Sequence, residues 1–425
     1  MHKALDITIE NLSKMEGHAS VDIKVRNGKV KDVKLKVNEN KRFYTQAIRG
    51  KPSETVPQLV SRICGTCSIA HLTCCTEAIE KAMEIKPSEQ TIMLRKLLTY
   101  GMMIRDHAMH LYLFCLPDLL GKDSVLDFDE KQHGLVHDAF DVKKAGNDLS
   151  KLIGGRAIHP PFSQIGTFSR LPDKNEARKV VDELKSVRSK VFDLVKIFHD
   201  SDFTFQTKTN FVALTTDDYS FLEGVIKSSK KITIPEQFYW DHLERVIIPY
   251  SAATGFEFEG KEFMVGALAR MNLNKGNLHE QTRIDLAKYI RTFPSSNIYH
   301  NNLAQAIEIM HCIDHSIDLL ESNEFKPEPK PEFKPRECRG IGVIEAPRGT
   351  LYYNLSLNKE GKVSYGNLVI PTAQNQIKME RDIRDLVSQN LDKKKELIVH
   401  EIEKLIRAYD PCMTCATHFL RVNWT

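Results

Sequence analysis

The chain lacks any apolar run approaching the roughly 20 residues that a membrane-spanning helix requires. Its opening, MHKALDITIENL, has neither a basic n-region nor an apolar h-region, so no secretory signal is read there. It also lacks any block of like charge. The 60 Lys and Arg are set against 56 Asp and Glu, leaving a formal net charge of +4 spread along 425 residues. No internal repeat and no low-complexity tract is visible. These absences argue against a membrane span and against a nucleic-acid partner, and they make the cytoplasm the expected location. What remains is ordinary globular composition, 41% hydrophobic and 27% charged, in a chain long enough for two or three closely packed subdomains.

Nine cysteines need explaining: Cys64, Cys67, Cys74, Cys75, Cys115, Cys312, Cys338, Cys412 and Cys415. The number is odd, and in a reducing compartment structural disulfides are not expected. Cys74 and Cys75 follow the first CxxC pair on a helical pattern, Cys115 and Cys312 sit in apolar helical runs, and Cys338 lies near a turn. These five are read as small buried hydrophobes. The remaining four form two CxxC pairs, one near each end of the chain.

Periodicity divides the chain unevenly. SVDIKVRNGKVKDVKLKV alternates apolar residues on either side of Asn27-Gly28, a hairpin signal, so 1–50 reads as a small β unit. Helical spacing then dominates, with helices expected near 54–62, 66–84, 87–120, 129–153, 174–200, 278–293 and 299–322, and a mixed α/β segment near 201–275. FKPEPKPEFKPRE, at 325–337, is a proline-spaced connector that cannot be helical. It leaves 338–425 as a C-terminal α/β segment: strands with a turn at Glu360-Gly361, helices near 372–390 and 394–408, and then the second CxxC. The fold class expected is α+β, mainly α. A central helical bundle occupying 51–324 would lie between the two small β units.

The first pair stands in RICGTCSIAH, with Cys64, Cys67 and His71, and the second in DPCMTCATH, with Cys412, Cys415 and His418. A CxxC turn puts both sulfurs on one side of the backbone, near N–H groups that stabilise thiolates, which suits metals or redox exchange. Three readings compete. A four-thiolate structural zinc site usually draws its pairs from nearby in sequence, whereas most of this chain separates them. Thioredoxin-like exchange needs one pair and gives the other no role. A catalytic transition-metal site at the junction of the N- and C-terminal segments accounts for both the separation and the polar residues around each pair, without naming the metal.

Both motifs resemble the two signatures of the large subunit of nickel-iron hydrogenases, in the same order and at the same ends. The resemblance extends to MEGH (15–18), DHAMHLYLFCLPD (106–118), GGRAIHP (154–160), NNLAQAIEI (301–309), EAPRG (345–349) and IPTAQN (370–375), covering most of the chain. The absence of long insertions looks most like the cytoplasmic bidirectional or sulfhydrogenase-type branch. The fold-sharing coupling subunit of respiratory complex I, which lacks the metal cysteines, and a zinc-stabilised scaffold are the alternatives.

The resemblance implies a role for individual residues. By it, Cys64, Cys67, Cys412 and Cys415 would hold nickel, with Cys67 and Cys415 bridging to an iron that carries cyanide and carbon monoxide, and Cys64 and Cys412 terminal on nickel. Glu16 matches the family's first proton-relay glutamate, beside Cys412. Arg348, on a turn between Pro347 and Gly349, would aim its guanidinium at the open metal site, with Asp118 and Asp410 as its acidic partners. Pro371 and Thr372 match the donor segment for the diatomic ligands, and His71 a histidine near the bridging sulfurs. His107, His110 and His159 are read as structural. Members of the family usually place a glutamate after the N-terminal hairpin, joining the C-terminal histidine around magnesium or a similar ion. Here Thr45 stands at that place, with His418 retained. No iron-sulfur motif is present, so the resemblance implies an iron-sulfur small subunit, often with a flavin-containing electron-transfer module beyond it. It also implies maturation proteins and a protease that removes a tail, here 419–425, once nickel is in place.

Overall fold

The structure, a computed structural model, describes residues 4–39 and 43–417. The Asn27-Gly28 turn forms as the alternation requires. Arg26 pairs with Lys29, and the two residues between them take φ of 54° and 68°, the left-handed pair that matches the twist of a two-residue hairpin. Strands Ala19–Arg26 and Lys29–Val37 are joined antiparallel by Ala4–Ile9 on the far side of the first. Ile7, Val21, Ile23, Val33, Leu35 and Val37 are buried, as residues sharing one face of a half-covered sheet should be.

Helices Ser68–Met83, Glu89–Ala108, His133–Gly154, Lys174–His199 and His300–Ser322 make the bundle, close to their expected bounds. Two of them cross where glycine faces glycine: a Cβ on Gly101 would meet the Gly146 carbonyl at 2.8 Å. Glu89–Ala108 does not stop at Ala108. It widens into a π-helical stretch, Met109–Cys115, and runs on through Leu116–Leu119, so the single element expected at 87–120 exists with a bulge inside it. The helix expected at 278–293 is instead two short pieces, Glu280–Asp285 and Ala287–Ile290. Leu286 between them leaves helical geometry at φ −102°, ψ 15° while remaining buried.

Within 201–275 lies a four-stranded sheet in the order Phe263–Met264, Asn210–Thr215, Val225–Ser228, Thr233–Pro235. No helix or strand lies between Ser322 and Cys338, and Gln90 fastens the connector by bonding both the N–H and the C=O of Lys326 at 2.8 Å.

The C-terminal sheet positions the site. Cys338–Ala346 pairs antiparallel with Gly349–Leu357, which pairs with Val363–Val369; the first hairpin turns at Pro347-Arg348. Its face lies directly on helix Ser68–Met83, because Gly340 and Gly342 expose bare backbone there. A Cβ would stand 2.0 Å from the Ala78 carbonyl oxygen at Gly340, and 2.3 Å from that of Cys74 at Gly342. Gly342→Ala should therefore push sheet from helix and destabilise the protein by about 1–3 kcal/mol, as overpacking does. A lower apparent melting temperature checks this, and an unchanged one would show that the two layers have slack between them.

Candidate metal centre

Cys67 caps helix Ser68–Met83, so the first CxxC turn ends at a helix start where N–H groups favour a thiolate, whereas Cys412 caps the short helix Met413–Ala416 and Cys415 lies within it. The turns face each other. Cys64 Sγ is 3.6 Å from Cys412 Sγ, Cys67 Sγ is 3.1 Å from Cys415 Sγ, and Cys412 and Cys415 are 3.0 Å apart. All four sulfurs are buried and lie within 4.8 Å of one another, the one such group among the described residues.

The N-terminal segment closes one side. Glu16 and Cys412 run as a parallel bridge, with the Met413 N–H donating to the Glu16 carbonyl at 2.9 Å. Gly17 is required there: φ is +82°, and a Cβ would sit 2.8 Å from the Thr414 nitrogen. This crossing brings Glu16 Oε2 to 3.0 Å from Cys412 Sγ and 3.1 Å from the Thr414 N–H, with Oε1 3.9 Å from Cys64 Sγ. Burial, then the Cys64 thiolate, raise the Glu16 carboxyl above its usual range.

Protonation across the sulfurs is unequal. A hydrogen bond from Cys412 holds Cys64 well below the ordinary thiol value, while burial and then Cys415 push Cys412 well above it. Four thiolates this close would repel one another strongly in a buried site. Charge on all of them requires cations among them.

Arg348 sits at the hairpin tip yet is buried. Its guanidinium donates to both oxygens of Asp106 at 2.6 and 3.1 Å, to Asp410 Oδ1 at 3.0 Å and to the Asp410 carbonyl at 3.1 Å. Asp410 is therefore a partner as expected, and not merely a turn residue. Asp118 is not. It pairs with Arg407 at 2.6 and 2.9 Å and with Lys14 at 2.7 Å, three turns of chain beyond the residue that does meet Arg348. The expectation erred within one motif: Asp106 opens DHAMHLYLFCLPD and Asp118 closes it, and only Asp106 lies on the helix face turned to the hairpin tip.

His71 is fully buried, and burial lowers its imidazole to about 4, so it is neutral. Tyr353, which sequence reasoning missed, pairs its hydroxyl with Nδ1 at 2.8 Å and so fixes the ring, with Nε2 3.6 Å from Cys415 Sγ. Pro371 opens helix Pro371–Gln389. Thr372 Oγ1 beside it accepts the Cys412 N–H at 2.9 Å, which leaves its own proton free to donate elsewhere. Arg348, Thr372, His71, Pro371, Ala346 and Leu351 line a small cavity of about 10 Å³ against Cys67, Cys412 and Cys415. That is space for about one water-sized group, in walls that are apolar apart from Arg348, Thr372, His71 and the cysteines. His418 and the tail 419–425 lie outside the described residues, and Thr45 lies on the short helix Tyr44–Ala47.

A thiol quartet from both ends of the chain, beside a carboxyl and a buried guanidinium, defines a thiolate-held transition-metal enzyme centre rather than a structural knuckle. Similarity to known proteins names the class. The model of the nickel-dependent hydrogenase family matches residues 42–153 and 241–418, and the chain belongs to that family. It is 32% identical to sulfhydrogenase 1 subunit alpha of Pyrococcus furiosus over 98% of this chain and 99% of that one. It is 27% identical to the NAD-reducing hydrogenase HoxS subunit beta of Cupriavidus necator over 97% and 95%. In fold it matches the crystal structure of an NAD+-reducing [NiFe]-hydrogenase in the H2-reduced state, with TM-score 0.86 and 23% identity over 98% and 100% of the chains. The protein is thus a catalytic hydrogenase subunit, an oxidoreductase acting on dihydrogen.

The two aspartates should separate by experiment. Asp118→Asn breaks a buried ion pair and should cost about 3–5 kcal/mol of stability, with hydrogen activity per nickel retained. Asp106→Asn should lower activity per nickel. Equal losses per nickel in both variants would undo the pairing described.

Proposed function

We propose that this chain is the large subunit of a cytoplasmic nickel-iron hydrogenase in which Cys64, Cys67, Cys412 and Cys415 hold nickel. Cys67 and Cys415 would also hold an iron bearing cyanide and carbon monoxide. The observation that carries this is the sulfur quartet itself: four soft donors drawn from the two ends of the chain suit low-valent metals, with Arg348 and Thr372 lining the small gap beside Cys67 and Cys415. When bound, such a centre supplies reversible heterolysis of dihydrogen.

The chain's own residues do the rest. Glu16 Oε2, beside the terminal Cys412, takes the proton and passes it outward; its raised pKa suits a group that must be protonated and deprotonated in turn. Arg348, fixed by Asp106 and Asp410, presents a cation to the pocket, and Thr372 presents a hydroxyl donor. His71, oriented by Tyr353, places Nε2 beside the Cys415 sulfur.

Electrons need another carrier. The five remaining cysteines are dispersed and form no further metal group among the described residues, so we assign electron exit to an iron-sulfur small subunit, followed by a flavin-containing module. Relatives named as alpha and beta subunits support such an assembly. Among the described residues no helix is long and apolar enough to cross a membrane. Maturation proteins would load the site, and a protease would remove 419–425 after His418. Magnesium at His418 is left out of the proposal because Thr45 offers a hydroxyl where a carboxylate would be needed.

Metal analysis of the purified complex tests the whole: nickel with iron is expected, and zinc alone would refute it. Cys412→Ser should fold but show no hydrogen uptake, because an alkoxide is too hard and basic to replace the thiolate; uptake with nickel bound would defeat the four-thiolate assignment. Glu16→Gln should keep its nickel while turnover falls by about 10²–10⁴-fold, the usual contribution of a proton-transfer group. Full turnover in that variant removes Glu16 from the path.

A further inference from the structure

The helix that supplies Asp106 also supplies His110, one turn further along in the widened stretch Met109–Cys115, with its imidazole fully buried. Its surroundings determine its proton count. Asp410 Oδ1 is taken by Arg348, and Oδ2 lies 2.8 Å from the Gln305 amide, which must therefore turn its NH2 group to the carboxylate. The oxygen of the same amide then faces His110 Nδ1 at 2.7 Å, and an acceptor there demands an N–H. On the other side, Nε2 lies 2.9 Å from the Arg407 carbonyl oxygen. A lone pair on Nε2 would confront that oxygen's own, so this nitrogen also carries hydrogen. An imidazole with acceptors at both nitrogens is an imidazolium.

Charge counting agrees. Asp106 and Asp410 bring two buried negative charges to Arg348, which supplies one positive, and His110 supplies a second. The titratable groups that face the ring are Asp410, with Oδ1 3.7 Å from Nε2, and Cys115 on its own helix, with Sγ 3.3 Å from Nε2. Burial works against the charge, but Asp410 and Cys115 outweigh it and push the imidazole up to about 10.

We propose that His110 is a positioning residue, held as the imidazolium, which through Gln305 fixes Asp410 and so the direction of Arg348 over the sulfur pocket. The positioning role rests on Arg348 serving that pocket, whereas the proton count stands on the hydrogen bonds alone. The full chain, in its complex and labelled with ¹⁵N-histidine, tests the count, with His110 assigned as the signal lost in His110→Gln. Both ring nitrogens should stay protonated between about pH 6 and 8.5, where an ordinary histidine of pKa about 6.5 loses its proton. A neutral ring within that range overturns the proposal.

In the assembled enzyme, His110→Gln keeps polar atoms but no charge. It should retain nickel while kcat for dihydrogen oxidation falls about tenfold, the scale of losing a supporting partner at a metal site, and KM changes little. An unchanged kcat at wild-type nickel content refutes the positioning role. If that variant does not fold, Cys115→Ala assigns the wild-type signal instead, as the ring whose Nε2 shift moves when the sulfur 3.3 Å away is removed. A wild-type enzyme without hydrogen activity would strike the functional reading, while the charge on His110 would still be fixed by its nitrogen signals.

Discussion

Repulsion among four sulfurs governs the architecture around them. Two unit charges about 4 Å apart repel by about 4 kcal/mol even at an effective dielectric constant of 20, and here six such pairs are possible within 4.8 Å. Until cations arrive, protons therefore stay on all but Cys64, and the fold has to hold the four sulfurs in place for that exchange. It does so by drawing each turn from a different part of the molecule, one at the head of a long bundle helix and one pinned by the N-terminal segment at Glu16 and Gly17.

The same demand explains why the Arg348 hairpin points inward. Hairpin tips normally face water because their carbonyls need partners. This tip is supplied from behind by Arg270, which donates to the carbonyls of Ala346 at 3.0 Å and Pro347 at 3.1 Å while paired with Glu308 and Glu345. His107 and Tyr219 complete Glu308 at 2.9 and 2.8 Å. A buried arginine saturated on every side is costly to assemble, and its contribution here is a fixed backbone rather than net stability.

Much of this was legible in the sequence, and the misses share a cause. The N-terminal hairpin, the bundle helices and the four ligands follow from local signals: Asn-Gly, a 3.6 period, CxxC. Arg348 and Thr372 came only through resemblance, since an arginine beside proline and glycine reads as surface. Asp106, Tyr353, Gln305 and Arg270 escaped because each takes its role from a partner far along the chain; Asp106 and Arg348 are 242 residues apart. The break at Leu286 escaped for a different reason, since its apolar spacing continues through a turn whose hydrogen bonds do not.

The Cys64–Cys412 contact joins residues 348 positions apart, and synthesis at about 5–20 residues per second puts roughly 20–70 seconds between them on the ribosome. For that interval Cys64 and Cys67 exist as an unaccompanied thiol pair, attractive to zinc and to oxidants. Nothing in the chain's own order of manufacture shields them, because the opposing pair follows the bundle helices and the C-terminal sheet in sequence. The centre is thus a record of completion: a chain stopped short of Cys412 can assemble its bundle and sheets, yet presents half a site.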